Sequence, residues 1–197
     1  MNLVDRAKNI IITPKTEWPV IAAEEPNTTA ILTGYVIPLA LIPAVASLIG
    51  YGVIGQGVMH SFTWGIALGV VSFVSTVLGV YLTAFVVDFL APNFGSQKNF
   101  GRAMQLVAYS YTPGWVAGVL NIVPALGIIA SLAALYGVYL MYLGLPHTMK
   151  TPQDKVVVYL VIAIVVLIVI SMVISMILTG IMFSVLGLSI LGGLGGL

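Results

Sequence analysis

The sequence contains no cysteine and very little charge. Its 197 residues include seven Lys and Arg, six Asp and Glu and no Cys, so that charged residues make up 7% of the chain. Without cysteine the chain has no disulfides, thiolate metal ligands or cysteine nucleophiles. A soluble domain is about a quarter charged. A chain that is 60% hydrophobic is therefore expected to use lipid as the solvent for most of its surface.

The near-neutral charge and the missing motifs exclude several classes of function. The formal net charge is +1 and the basic residues are isolated, which argues against a nucleic-acid partner. His60 and His147 are predicted to lie on opposite membrane faces, so no metal site is expected. The chain has no glycine-rich phosphate loop and no serine in a nucleophile-elbow context. The sequence therefore predicts a protein that is not an enzyme and needs no cofactor.

Five long apolar stretches occupy most of the chain. A membrane-spanning helix needs about 20 apolar residues, and the five stretches predict an all-α, five-helix transmembrane bundle. The chain then divides into an N-terminal segment, 1–25, a five-span domain, 26–187, and a Gly-rich tail, 188–197. The predicted spans are Thr28–Gly50, Phe62–Val87, Ala103–Leu120, Ala125–Leu145 and Val156–Ser184.

The basic residues give this bundle an orientation. They occur only before the first span, between the second and third spans, and between the fourth and fifth. With five spans these gaps share one side of the membrane, and loops that carry Lys and Arg stay cytoplasmic. The sequence therefore predicts a cytoplasmic N-terminus and an external C-terminus. The basic residues are Arg6, Lys8, Lys15, Lys98, Arg102, Lys150 and Lys155.

The N-terminal segment is predicted to hold to the membrane surface. Apolar residues from Leu3 to Ile11, Ile10 among them, recur at helical spacing with polar residues between them. This pattern predicts a short amphipathic helix at the headgroup boundary, with a disordered cytosolic tail as the alternative. Pro14 ends the helix, and Trp18 is expected at the interface, half wet. The first apolar run is too short for a secretory signal, so we expect the chain to be retained whole.

The third span is short and is interrupted by polar residues and a proline. Pro113 removes one amide donor within the span, and the hydroxyls of Tyr109 and Tyr111 are placed to supply compensating hydrogen bonds. Unmet polar groups in hydrocarbon are costly, so this stretch is expected to face the bundle interior. Gly114 and Gly118 are expected to form a smooth patch for another span. The alternative is a water-filled pathway at the break.

The other candidate positions are polar or small residues within apolar sequence. Asp88 is expected to pair with Lys98 or Arg102 at the cytoplasmic end of the second span, or to form a proton or ion site. A tight turn is expected from Asn121 to Pro124. Small residues are expected to allow close helix approach or interhelical hydrogen bonds, with back-bonding to the helix's own carbonyls as the alternative for the hydroxyls. These residues are Gly65, Gly69, Ser171, Ser175 and Thr179.

The order of these features resembles a known family. A basic N-terminal segment with a Pro and a Trp precedes five spans. The third span contains AYSYTPGW at 108–115, NIVPALG follows at 121–127, and the fourth span contains LYGVYLMYLGL at 135–145. The chain resembles the Yip-domain family, membrane proteins named for interacting with Ypt/Rab GTPases. The resemblance implies five transmembrane helices and a cytosolic N-terminus.

The resemblance also implies something about partners and location. Eukaryotic members are tied to Rab binding and vesicle formation, and they have a longer N-terminal region with an acidic Asp-Leu-Tyr-Gly-Pro motif. That motif is absent here, so a small GTPase is a partner by resemblance alone. The compact form is similar to prokaryotic members, which implies a bacterial inner-membrane location.

Two functions of different classes are compatible with the sequence. The first is a non-enzymatic scaffold that organises lipid or recruits a partner, such as a second copy or another membrane protein. The second is a small transporter or channel with its pathway at the broken third span. Five spans do not divide into equal halves, so such a transporter would need a dimer. A membrane enzyme is disfavoured because the sequence shows no catalytic set.

Overall fold

A computed structural model describes residues 2–54, 62–170 and 172–173 of the protein. Every regular element in these ranges is helical, which agrees with the predicted all-α class. The chain divides into one compact unit, Met1–Leu160, and a second, Val161–Leu197. The described residues of the second unit, 161–170 and 172–173, are helical.

Two short helices form the N-terminal segment. Helix α1 spans Leu3–Ile12, and the side chain of its N-cap Asn2 accepts a hydrogen bond of 2.8 Å from the Asp5 amide. Helix α2 spans Pro14–Ala23 and begins directly after Thr13. Proline suits the first turn of a helix, because the amide donor that it lacks has no partner there. The same proline that ends α1 therefore starts α2.

The first apolar stretch forms one long helix, α3, over Thr28–Ile54. It changes to π-helical hydrogen bonding over Leu32–Val36 and again over Gly50–Ile54. Pro38 follows the first of these turns directly, in the first turn of the α-helical part. The missing amide donor is thus accommodated by a local change of hydrogen bonding and the helix continues through it.

The third apolar stretch is interrupted at Tyr111. Helix α5 (Phe100–Ser110) ends just before Tyr111, and helix α6 (Thr112–Ala117) has Pro113 in its first turn. Proline cannot continue α5 but fits the start of a new helix, so it fixes the position of the break. Asn121 and Pro124 lie in two short 3₁₀ turns beyond α6. The elements after α3 are α4 (Phe62–Leu90), a 3₁₀ turn (Ala91–Phe94), α5 (Phe100–Ser110), α6 (Thr112–Ala117), 3₁₀ turns over Gly118–Ile122 and Pro124–Leu126, and α7 (Gly127–Thr148).

Two of these helices are long and apolar enough to cross a membrane, by length and composition. They are α3 and the stretch Gly65–Phe94, which comprises most of α4 and the 3₁₀ turn after it. A shorter apolar helix, α8, covers Val156–Ile170. The five-span count stays a prediction. The predicted hydroxyl stripe of the fifth span, Ser171, Ser175 and Thr179, lies outside the described residues, as does the Gly-rich tail.

Glycine allows α3 and α4 to approach closely. A Cβ atom at Gly65 would clash with the backbone of Gly52, and a Cβ at Gly69 would lie 3.0 Å from the Ala44 carbonyl oxygen. Side chains at these two positions of α4 would hold the helices apart. Gly65 and Gly69, four residues apart on α4, therefore form a close helix contact within the chain.

The apolar face of α1 packs against protein. Arg6, Ala7 and Ile10 are buried, and α1 contacts α5 and α6. Val4 and Ile12, by contrast, are 69% and 65% exposed. The expectation that Ile10 lies in lipid is therefore wrong. The third apolar stretch offers this face a protein surface, so that Arg6 is buried beside the apolar residues.

Trp18 anchors α2 to α7. The indole is fully buried, and its Cζ2 atom lies 2.7 Å from the position of a Cβ on Gly144. The prediction of a half-wet indole is wrong, because the missing side chain at Gly144 leaves space for the ring. The Tyr136 hydroxyl donates a 2.8 Å hydrogen bond to the Ile11 carbonyl. Together these contacts join the N-terminal helices to α7.

Candidate functional site

The centre of the candidate site is the guanidinium of Arg6, which is 5% exposed. Its Nη1 donates to Glu17 Oε1 at 2.5 Å, and its Nη2 donates to Glu24 Oε1. Its Cζ atom lies 5.4 Å from the centre of the Tyr109 ring, within the range of a cation–π contact. A buried charge is tolerated only when it is paired and hydrogen-bonded. The two carboxylates supply that pairing.

A second arginine ties the chain after α2 to α5. Arg102 Nη1 donates to the Glu24 carbonyl at 2.8 Å and to Gln105 Oε1 at 3.0 Å. The Asn99 side chain caps α5 by accepting from the Arg102 amide at 3.1 Å. This start of the helix places the Arg102 side chain near Glu24.

The ion pair expected for Asp88 is not formed. Among the described residues Asp88 makes no salt bridge with Lys98 or Arg102, and its Oδ1 atom is buried without a hydrogen-bond partner. The physical reason is that Arg102 is engaged by the carbonyl of Glu24. The alternative of a proton or ion site at Asp88 stays a prediction.

The polar side chains at the helix break bond to neighbouring helices. The Tyr35 and Thr112 hydroxyls share a hydrogen bond of 2.7 Å, and the Thr83 and Tyr111 hydroxyls share another of 2.7 Å. Pro113, the residue after Thr112, is also buried. Bonds from α3 and α4 thus satisfy the hydroxyls of Thr112 and Tyr111, whereas the buried Ser110 hydroxyl has no hydrogen-bond partner among the described residues.

The two glycines after the break face different helices. A Cβ at Gly118 would lie 2.7 Å from Pro43 Cβ in α3, whereas a Cβ at Gly114 would lie 3.9 Å from Ala134 Cα in α7. Gly114 and Gly118 were expected to form one surface for a single span, but each of them faces a different helix, α7 or α3.

Replacing Gly118 by Leu is expected to destabilise the protein by about 1–3 kcal/mol, because the new side chain would overlap Pro43. The measurement is thermal unfolding in detergent. Gly79→Leu is the matched control, since nothing lies within 4 Å of the Cβ position at Gly79. Equal losses of stability in the two variants would contradict the assigned contact.

Arg6, Glu24 and Tyr109 line a polar cavity of about 330 Å³. The cavity lies between α1, the residues that follow α2, and helices α3 and α5. Sequence reasoning singled out Tyr109 in this cavity but missed Arg6. The signal was available, since Arg6 lies four residues before Ile10 and so shares its helical face. The polar and charged residues that line the cavity include Arg6, Glu24, Glu25, Tyr35, Gln105 and Tyr109.

Comparison with known proteins supports the resemblance seen in the sequence. The Yip1 domain family matches residues 8–176. The chain is 26% identical to the inner membrane protein YohC of Escherichia coli (strain K12) over 151 residues, which cover 72% of this chain and 77% of that protein. The protein of the same name from Escherichia coli O6:H1 matches equally well, and no solved structure matches significantly. The family match runs from the second half of α1 through α2 and the broken third stretch and covers most of the chain, and the chain therefore belongs to the Yip1-domain family of membrane proteins.

Proposed function

We propose that this chain is a non-enzymatic protein of the bacterial inner membrane that organises lipid or recruits a partner through its N-terminal helices. The similarity to a protein named as an inner membrane protein supports the location. A topology of five spans, with a cytoplasmic N-terminus and an external C-terminus, is part of this proposal. It rests on the one-sided distribution of Lys and Arg.

The observation that carries the proposal is the attachment of α1 and α2 to the bundle. The buried ion pairs of Arg6 and the buried ring of Trp18 hold these helices in place. Their outward side exposes Val4, Lys8 and Ile12. A fixed surface with basic and apolar residues suits the boundary of an anionic membrane. The N-terminal segment thus presents a fixed surface to the membrane, which supports a membrane-organising role.

The geometry of the helix break supports the scaffold over a transporter. A transport pathway would present the polar groups of a broken helix to water or substrate. Here the hydroxyls of Tyr111 and Thr112 are bonded to side chains of α4 and α3.

Single cysteines at the break provide the test, because the chain has no cysteine of its own. Ser110→Cys and Thr112→Cys are conservative changes at fully buried positions, so both are expected to resist a membrane-impermeant maleimide in proteoliposomes. Asn27→Cys, at an exposed position, is the reactive control. Labelling of both buried positions at the rate of the control, in folded protein, would favour the dimeric transporter instead.

The proposed topology has its own test. Reporter fusions after Lys150 and after Leu197 are expected to report opposite sides of the membrane, the first cytoplasmic and the second external. Alkaline phosphatase and a fluorescent protein, which are active on opposite sides, give the two readouts. A cytoplasmic signal from both fusions would show that the span count is wrong.

A further inference from the structure

Helix α2 extends along α7. The Trp18 ring packs against Gly144, and the chain just before α2 is held by the hydrogen bond from the Tyr136 hydroxyl to the Ile11 carbonyl. The eight positions from 136 to 144 correspond to about 12 Å along a helix. The junction of α1 and α2 therefore lies about two helical turns farther from the C-terminal end of α7 than Trp18 does.

Helix α5 gives the same depth for this junction. The Glu24 carbonyl, just past the end of α2, accepts from Arg102 in the first turn of α5. A Cβ atom at Gly137, next to Tyr136, would lie 2.6 Å from the carbonyl oxygen of Ser110, the last residue of α5. Helix α2 thus runs from the level of the start of α5 to the level of its end. On the proposed topology α5 enters the membrane from the cytoplasmic side, so the α1–α2 junction lies at the level of lipid.

An open cavity of about 370 Å³ lies at this junction, between the turn that joins α1 to α2 and the side chains of Tyr136 and Tyr139 on α7. Ile12, which is 65% exposed, and the two tyrosines give it apolar walls. Lys15 is the only charged residue among the described residues that line it. Both salt bridges within the described ranges belong to Arg6, so Lys15 has no acidic partner there. An unpaired cation at lipid level is costly, and the anionic groups available at that level are lipid headgroups.

The surface below the cavity is apolar. Leu135 and Leu132 precede Tyr139 on α7 at helical spacing and are 65% and 58% exposed. They continue from the cavity toward the membrane interior, whereas tyrosines are typical of the headgroup level. A ligand that fits both surfaces has an anionic head and an apolar tail. This combination distinguishes a lipid from a soluble anion.

We propose that this cavity holds the headgroup of a phospholipid with net negative charge from the cytoplasmic leaflet. The phosphate would lie between the Lys15 ammonium and the Tyr139 hydroxyl, with an acyl chain along Leu135 and Leu132. No Asp or Glu is among the described residues of the lining, so the ammonium of a zwitterionic headgroup finds no partner and a net negative headgroup is preferred. The inference rests on the proposed function and topology, and it names the lipid that the N-terminal helices recognise.

The test uses the full chain in detergent micelles, with native mass spectrometry to measure the binding of phosphatidylglycerol and of phosphatidylcholine with the same acyl chains. We expect one phosphatidylglycerol to bind per chain and phosphatidylcholine to bind more weakly. Lys15→Gln is expected to weaken phosphatidylglycerol binding about tenfold, the usual effect of one charge-assisted hydrogen bond, and Tyr139→Phe about threefold. Lys98→Gln and Tyr142→Phe are matched controls, since both residues are exposed and lie outside the cavity.

Free glycerol phosphate distinguishes a lipid from a soluble anion, and at the same concentration it is expected to leave the bound lipid in place. Three results would overturn the proposal, provided that thermal unfolding shows a folded protein. They are displacement of the lipid by glycerol phosphate, equal affinities for the two lipids, and equal affinities of Lys15→Gln and Lys98→Gln for phosphatidylglycerol. Cysteine labelling at the helix break tests the proposed function by itself, so a failure of the lipid site and a failure of the scaffold are distinguishable.

Discussion

Arg6→Ala is expected to destabilise the protein by about 3–5 kcal/mol, because removal of one partner leaves a buried charge without compensation. Glu17 is 5% exposed, and its only recorded salt bridge within the described chain is with Arg6. The measurement is the free energy of unfolding in mixed detergent micelles. Lys8→Ala is the control, since Lys8 is exposed on the same helix and its loss is expected to cost at most about 0.5 kcal/mol.

A double variant separates the unpaired charge from other effects of losing Arg6. Arg6→Met with Glu17→Gln leaves neither charge in the buried pair, so it is expected to recover part of the stability that Arg6→Ala loses. If Arg6→Ala proves as mild as Lys8→Ala, the ion pairs do not hold α1 in place. The proposed role of the N-terminal helices then loses its main support.

Trp18→Ala is expected to cost about 3–5 kcal/mol, the usual range for truncating a buried aromatic residue. It is also expected to release α1 and α2 from α7, so that trypsin cleaves at Lys8 and Lys15 faster. The measurements are thermal unfolding and timed proteolysis of the folded protein. Val20→Ala is the control, because Val20 lies on the same helix and is 49% exposed.

The Trp18 and Gly144 contact predicts a non-additive pair. Gly144→Leu alone is expected to be strongly destabilising, since its Cβ would lie 2.7 Å from the Trp18 ring. In the Trp18→Ala background the ring is gone and only the Leu106 methyl group, 2.5 Å from the same Cβ position, is left to move, so the same change is expected to cost less. Additive losses in the double variant would show that the two residues are not in contact.

Local features of the fold were predictable because they depend on near neighbours in the chain. Pro14 and Pro113 lack an amide donor, and each begins a new helix where the sequence predicts a break. The spacing of apolar residues likewise predicts α1. The spacing also puts Arg6 on the face of Ile10, but the burial of its guanidinium was not predictable in the same way, because it depends on packing between α1 and distant elements. The pattern for α1 identified an apolar face but did not distinguish lipid from protein as its partner.

The candidate site was predictable only in part. Tyr109 and Arg102 were singled out; in the structure Tyr109 lines the cavity, and Arg102 donates to the carbonyl of Glu24, which also lines it. Trp18 was assigned to the interface because indoles are common there, and the space above Gly144 is a tertiary feature that no local pattern shows. The pairing of Arg6 with Glu17 required knowledge that α2 folds onto the same surface as α1.

The contacts of α1 and α2 have a consequence for the order of events during synthesis. Arg6 and Trp18 leave the ribosome first, but the residues that cover them, Tyr109 and Gly144, belong to the third and fourth apolar stretches. Glu17, only eleven positions from Arg6, is available almost at once. The charge is therefore neutralised early and the ring is buried late, so that the amino-terminal end of the protein is completed only after the fourth stretch has been made.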